Sequence, residues 1–148
     1  MCARTGFSNS GQSCISVQRI YVHQAVVPAF TERLKEEVLK LKIGDPLLPD
    51  TDVGTLVDTS AAKRIMEWIN ESVNLGATLI CGGKQHGATV EPTILLNPPK
   101  KNSKVVCQEV FGPIVSIIPY ESIEEAIEET NDSSFGLQAG LFLRIKWI

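Results

Sequence analysis

The chain has 148 residues, of which 43% are hydrophobic and 21% charged, and its net charge is −3 at pH 7. This length suits one domain, and the composition favours a globular core over disorder. The charge excludes the basic surplus that binding to a nucleic-acid backbone requires, and no apolar run is long enough to span a membrane. The four cysteines are scattered without a Cys-x-x-Cys pair. We therefore expect no metal site, no disulfides and a reducing, cytoplasmic location.

The first half of the chain predicts one strand and two helices. β-branched and aromatic residues from Arg19 to His23 favour a strand. Apolar residues recur at helical spacing from Val27 to Leu41 and predict an amphipathic helix. A second helix is expected to begin between Asp58 and Ser60 and to end at Gly76. Its predicted buried face consists of Ala62, Ile65, Ile69 and Val73.

The second half of the chain is mainly extended. Ser122 followed by Glu125 is a capping box, which predicts a helix from there to about Thr130. Pro92 should confine its own segment to a sheet edge or a bulge. Strands that alternate with helices predict the α/β class, with a largely parallel sheet flanked by helices. The predicted extended segments are Ala77–Cys81, Val90–Leu96, Lys104–Cys107, Ile114–Tyr120 and Leu137–Leu143.

A polar loop leads to Cys14 within the stretch Phe7–Val22, which reads F-S-N-S-G-Q-S-C-I-S-V-Q-R-I-Y-V. Gly11 allows another backbone or a ligand to approach this loop closely. A reactive thiol requires such a partly open, polar site with amide N–H groups nearby. The residues by themselves leave open the commoner alternative, in which the cysteine is a small buried apolar residue.

Two motifs in this chain resemble the signatures of the aldehyde dehydrogenase superfamily. The first is F-x-N-x-G-Q-x-C followed by R-I-Y-V, and the second is E-V-F-G-P at Glu109–Pro113. The resemblance covers about residues 7–142 and is closest to the lactaldehyde dehydrogenase-like branch. It implies the catalytic-domain fold of that family. Shorter segments that also resemble the family are Gly44–Pro46, Thr51–Gly54, Glu91–Thr93, Asn131–Ser133 and Phe135–Gly140.

The resemblance implies an NAD- or NADP-dependent oxidation of an aldehyde to a carboxylic acid. Cys14 would be the nucleophile that forms a thiohemiacetal, and its backbone N–H would be one donor to the oxyanion. Hydride then passes to the coenzyme, and water hydrolyses the thioester. Glu109 would accept hydrogen bonds from the ribose hydroxyls next to the nicotinamide, and Phe111 would pack beside that ribose and ring.

Other polar residues give weaker signals. His23 and His86 could serve as bases for Cys14 in a cysteine hydrolase, although neither has a defined spacing from the thiol. Without Cys14 upstream, Glu109–Pro113 would be an ordinary loop before a strand. The acidic cluster Glu124, Glu125, Glu128 and Glu129 is expected to be a solvated helix face.

Several family features are absent from this sequence. We find no E-L-G-G-K-type segment with a general-base glutamate and no dinucleotide-binding Gly-x-Gly-x-x-Gly. Residues 1–5 and 143–148 do not resemble the family. We therefore expect residues 1–148 to be a catalytic-domain fragment without the N-terminal cofactor domain, inactive alone and self-associating as a homo-oligomer. The alternative is a non-catalytic remnant or an assembly module.

Overall fold

In a computed structural model, which describes residues 1–142, a four-stranded sheet forms the centre of the chain. Its strands stand in the order β1-β6-β5-β2, while β3 and β4 form a separate hairpin. β6 runs parallel to both β1 and β5, and β2 is antiparallel to β5. The α/β class with a mostly parallel sheet is thus confirmed. The strands are β1 (Arg19–His23), β2 (Thr78–Cys81), β3 (Gln85–His86), β4 (Thr89–Val90), β5 (Thr93–Leu96) and β6 (Ile114–Tyr120).

Helices cover both faces of this sheet. The helix expected to begin between Asp58 and Ser60 is confirmed, and its cap is Asp58, because the Ala61 N–H donates to Asp58 Oδ1 at 2.7 Å. The capping box is confirmed as well, because the Glu125 N–H donates to Ser122 Oγ at 3.2 Å. No helix within residues 1–142 has the length and apolar character needed to cross a bilayer. The helices are α1 (Cys2–Phe7), α2 (Val27–Val38), α3 (Thr59–Asn74), α4 (Lys104–Cys107) and α5 (Ile123–Asn131).

The core consists of two apolar layers, one on each face of the sheet. Successive side chains of a strand point to opposite faces. Ile114 and Ile118 of β6 accordingly pack in the layer that contains Ile65 and Ile69 of α3. Val115 and Ile117 of β6 pack in the other layer, with side chains of α1 and α2. β6 is therefore buried on both faces, as expected for a central parallel strand.

One predicted strand and one predicted strand position need correction. Lys104–Cys107 is the helical turn α4, in which the Val106 and Cys107 N–H groups both donate to the Ser103 carbonyl. Such a short apolar run does not distinguish a strand from a buried helical turn. The expected edge position of Val90–Leu96 is wrong, because β5 pairs with a strand on each side. The alternative expectation, a bulge, is met only on the partner strand β2, where the register shifts between Leu79 and Cys81. Pro92 lies just before this strand, where its missing N–H removes no bond from the ladder.

Smaller expectations also need correction. Val73 is 37% exposed, and Ser72 takes the buried position on α3 instead. Residues 137–142 form no strand, and Leu143 lies outside the described residues. The solvated acidic face is confirmed only for Glu124 and Glu128. The other two acidic residues of that cluster, Glu125 and Glu129, form ion pairs with Lys100.

Candidate functional site

The two family-like motifs meet at one edge of the sheet. Cys14 lies shortly before β1, and Glu109 lies shortly before β6. These strands are parallel neighbours, with Arg19 opposite Ser116, so the segments that lead into them lie side by side. The Ser116 N–H donates to the Gln18 carbonyl at 2.8 Å and ties the two segments together.

A narrow cleft lies between the two segments. It is lined by Gly11, Ser13 and Cys14 on one side and by Glu109, Phe111 and Gly112 on the other. Its volume of about 30 Å³ holds only about two water molecules. A larger ligand would therefore extend beyond this cleft. The structure thus brings together Cys14, Glu109 and Phe111, whose functional roles stay predictions.

The Cys14 side chain is exposed at the mouth of this cleft, which excludes the buried alternative. It belongs to a turn in which the Ser16 N–H donates to the Ser13 carbonyl at 3.0 Å. Within residues 1–142, the Cys14 backbone N–H has no bonded acceptor, so it can donate to a ligand oxygen. Cys81, by contrast, is partly buried, and this burial raises the pKa of its thiol.

The loop before Cys14 has an unusual backbone. Asn9, Ser10 and Gly11 have φ values of 51°, 55° and 70°, so three consecutive residues are left-handed. Only glycine adopts this conformation without steric cost. Hydrogen bonds to a distant segment compensate for this steric cost. Ser10 Oγ, for example, donates to the Gly54 carbonyl at 3.0 Å. The neighbouring Gln12 also accepts from the Val57 N–H at 2.9 Å. These residues therefore shape the loop.

The segment on the other side of the cleft alternates exposed and buried residues. Glu109 is exposed, Val110 is only 1% exposed, and Phe111 is 41% exposed with a φ of 47°. Both backbone groups of Val110 bind side chains. Its N–H donates to Gln18 Oε1 at 3.0 Å, and its carbonyl accepts from Arg64 Nη2 at 2.8 Å.

Gln18 and Arg64 did not emerge from the sequence analysis. A signal existed only for Arg64, because it precedes Trp68 by four residues and so shares its helix face. The guanidinium carbon of Arg64 indeed lies 4.5 Å from the centroid of the Trp68 ring. Nothing in the sequence around Gln18 indicates that its amide binds a loop far along the chain.

Neither histidine approaches the thiol. His23 Nδ1 accepts from the Ala25 N–H at 3.3 Å and its ring meets Tyr120 edge to face. His86 lies on a hairpin, is 73% exposed and faces Glu91 at 3.7 Å. Neither side chain lines the cleft, so the cysteine hydrolase alternative has no base here. Across the part of the chain that the structure describes, no three His, Cys, Asp or Glu side chains cluster closely enough to hold a metal ion.

Comparisons with known proteins connect this site to one family. The family model described as "Aldehyde dehydrogenase family" matches residues 1–144, including the first residues that the sequence analysis set aside. A 3-sulfolactaldehyde dehydrogenase of Priestia aryabhattai is 48% identical over 142 residues, which are 96% of this chain and 30% of that protein. A lactaldehyde dehydrogenase of Methanococcus aeolicus is 39% identical over 141 residues, which are 95% of this chain and 30% of that protein. This confirms the similarity to the lactaldehyde branch.

A solved structure agrees with these relatives. The Mycobacterium tuberculosis aldehyde dehydrogenase complexed with NAD+ superimposes with a TM-score of 0.87 at 30% identity, covering 93% of this chain and 29% of that one. The chain thus spans about 30% of the length of the curated relatives that it matches. With the match over residues 1–144, the chain belongs to the aldehyde dehydrogenase family.

Proposed function

We propose that this chain supplies the nucleophilic cysteine and the coenzyme-binding carboxylate of an NAD- or NADP-dependent aldehyde dehydrogenase. The observation that carries the proposal is that Cys14 and Glu109, from two distant motifs, line one cleft. The substrate would be a small aldehyde, because the relatives above are named for lactaldehyde and 3-sulfolactaldehyde. Cytoplasmic location belongs to the same proposal, since its unpaired thiols favour a reducing compartment.

Cys14 forms and releases the covalent intermediate in this proposal. Its thiolate adds to the aldehyde carbon, and the carbonyl oxygen becomes an oxyanion. The backbone N–H of Cys14 stabilises that negative charge. After loss of hydride the carbon is a thioester on Cys14. Water then adds to this thioester, the carboxylic acid leaves, and the thiol of Cys14 is regenerated. The base that activates this water would come from outside the described residues.

The side chains opposite Cys14 fit the nicotinamide-ribose end of the coenzyme. The exposed carboxylate of Glu109 can accept hydrogen bonds from two neighbouring hydroxyls. The exposed ring of Phe111 offers a flat apolar surface on the same wall. When bound, the coenzyme supplies the hydride acceptor. The cleft is too small to enclose the coenzyme, and the base that activates water would come from outside the described residues, so we expect the isolated chain to show no dehydrogenase turnover.

The first experiment measures thiol reactivity on the chain itself. Iodoacetamide labelling near neutral pH, followed by peptide mass spectrometry, should modify Cys14 first, because it is exposed at the cleft. Cys81 should react more slowly, because burial raises its pKa. Equal labelling of Cys14 and the three other cysteines would contradict an activated thiol.

The second experiment restores a complete enzyme. The matching segment of the Priestia relative is replaced by residues 1–142 of this chain, and oxidation of 3-sulfolactaldehyde, the aldehyde for which that relative is named, is followed with NAD or NADP at the reduced-nicotinamide absorbance. Cys14→Ala should abolish turnover, whereas Cys107→Ala, outside the cleft, should retain it. A chimera that melts cooperatively but does not turn over would favour the non-catalytic alternative. Robust turnover by the isolated chain would overturn its expected inactivity.

A further inference from the structure

We propose that Gln18 and Arg64 are positioning residues that hold the two peptide groups on either side of the Val110 Cα atom, and so direct Glu109 and Phe111 toward the coenzyme. This inference rests on the proposed function, because it assigns these residues a role in coenzyme binding. Gln18 also lines the cleft, whereas Arg64 lies outside it, and both act through the backbone. We call the two side chains together the Val110 clamp.

Gln18 uses its whole amide group in the Val110 clamp. Its Oε1 accepts from the Val110 N–H at 3.0 Å. Its Nε2 donates to the Gln108 carbonyl at 2.6 Å and to the Val105 carbonyl at 3.0 Å. The amide thus bonds to the backbone immediately before and after Glu109. The Gln18 carbonyl in turn accepts from Ser116 of β6, so the clamp is anchored in the sheet.

Arg64 holds the next peptide group, between Val110 and Phe111, from the helix layer. Its Nη2 donates to the Val110 carbonyl at 2.8 Å. The guanidinium carbon lies 4.5 Å from the Trp68 ring centroid, and such stacking limits the orientations that an arginine can adopt. Arg64 and Trp68 both belong to α3, whose Ile65 and Ile69 are fully buried. The second half of the clamp is therefore attached to a rigid part of the core.

The segment between these attachments needs such support. Phe111 has a φ of 47°, a conformation that is strained for a bulky residue and persists only where its surroundings enforce it. Within residues 1–142 the Glu109 carboxylate has no hydrogen-bond or ion-pair partner. Its direction must therefore come from the backbone. The backbone of the buried Val110, whose N–H and carbonyl are both hydrogen-bonded, supplies that direction to the exposed residues on either side.

The test begins with hydrogen–deuterium exchange on the full chain. Gln18→Met removes the acceptor of the Val110 N–H, so exchange at residues 109–112 should rise about 3- to 10-fold, as expected for the loss of one hydrogen bond. Arg64→Met gives an independent variant, and Arg64→Lys should restore part of the protection. Gln85→Met, in the β3–β4 hairpin, is the matched control and should leave this segment unchanged. Unchanged exchange in Gln18→Met would overturn the clamp.

Kinetics of the Priestia chimera then separate positioning from general stability. Gln18→Met and Arg64→Met should raise the KM for the coenzyme about 3- to 10-fold. They should leave kcat and the labelling rate of Cys14 within about twofold. Glu109→Gln should raise the same KM and tests the proposed function separately. If Glu109→Gln raises it and the clamp variants do not, the clamp is wrong and the proposed function stands. If Glu109→Gln has no effect, the coenzyme role of Glu109 fails.

Discussion

The backbone of Gly11 lies so close to Gly112 that a Cβ atom added to Gly11 would stand 2.1 Å from the Gly112 carbonyl oxygen. Gly11 precedes the cysteine turn and Gly112 follows Phe111. The contact therefore joins the two walls of the cleft directly, backbone against backbone. Gly11 is also left-handed, with a φ of 70°. Two independent constraints, space and conformation, thus require glycine at this position.

Gly11→Ala should destabilise the fold through both constraints. The left-handed conformation costs a residue with a side chain about 1–2 kcal/mol. The contact with Gly112 should add about 1–3 kcal/mol, because backbone atoms must move to make room. Urea unfolding at equilibrium measures the sum. Labelling of Cys14 should change in the same variant, because the loop that carries the thiol must shift.

Gly87→Ala is the matched control for this measurement. Gly87 has a φ of 62°, but a Cβ there would meet nothing within 4 Å. Gly87→Ala should therefore lower the free energy of unfolding only by the cost of the left-handed conformation, about 1–2 kcal/mol. If Gly11→Ala and Gly87→Ala lower the free energy of unfolding equally, the close approach of Gly11 to Gly112 adds no steric cost.

Gly112→Ala should be destabilising for a different reason. A Cβ on Gly112 would lie 2.5 Å from Ile65 Cδ1, which implies a loss of about 1–3 kcal/mol by overpacking. Ile65→Val removes that methyl group and should alone cost about 0.5–1.5 kcal/mol. The double variant should then lose less than the two losses added together. Strict additivity in urea unfolding would show that Ile65 is not what excludes a side chain at Gly112.

The sequence predicted the elements whose signal is local. Asp58 and the capping box at Ser122 mark helix starts through side chains that bind the next turn, and both are confirmed. The helical turn α4 was predicted as a strand, because the short apolar run around Val105 shows neither a helical nor a strand period. Pro92 was misread because its effect depends on whether it lies inside or just before the ladder.

The site was only partly predictable for a related reason. The motifs indicated Cys14, Glu109 and Phe111, and the parallel pairing of β1 with β6 explains why they meet. Gln18 and Arg64 bind main-chain atoms of Val110, and every residue type except proline offers the same main-chain N–H and carbonyl groups. No side-chain pattern therefore reports such contacts before the fold is known.

We expect the isolated chain to self-associate, because large apolar side chains lie exposed near the cleft. Gln138 Nε2 donates to the Ile15 carbonyl at 3.4 Å, which places the segment around Leu137 beside the cysteine turn. Ile15, Phe111 and Leu137 are 53%, 41% and 65% exposed. Light scattering after size exclusion should find a dimer, in which these side chains are covered.

Leu137→Glu should shift this equilibrium toward the monomer. Leu39→Glu at the end of α2 is its matched control, because Leu39 is equally exposed at 66%. It should leave the dimer intact. Elution of the unmodified chain as a monomer at high concentration would show that the exposed apolar side chains do not drive association.

The last prediction concerns Asp58, whose cap begins the helix that carries Arg64. The hydrogen bond from the Ala61 N–H, followed by that from the Ser60 hydroxyl, lowers the pKa of Asp58 below its usual value of 3.8. The folded state therefore favours the carboxylate, so this contribution to stability is complete above pH 3.8 and disappears as the pH falls through the lower folded value. Asp58→Asn keeps a capping oxygen without the charge. Urea unfolding of both proteins from neutral pH downward should show the advantage of Asp58 shrinking only in the acidic range. A difference that stays constant with pH would mean that the charge of Asp58 contributes nothing to this cap.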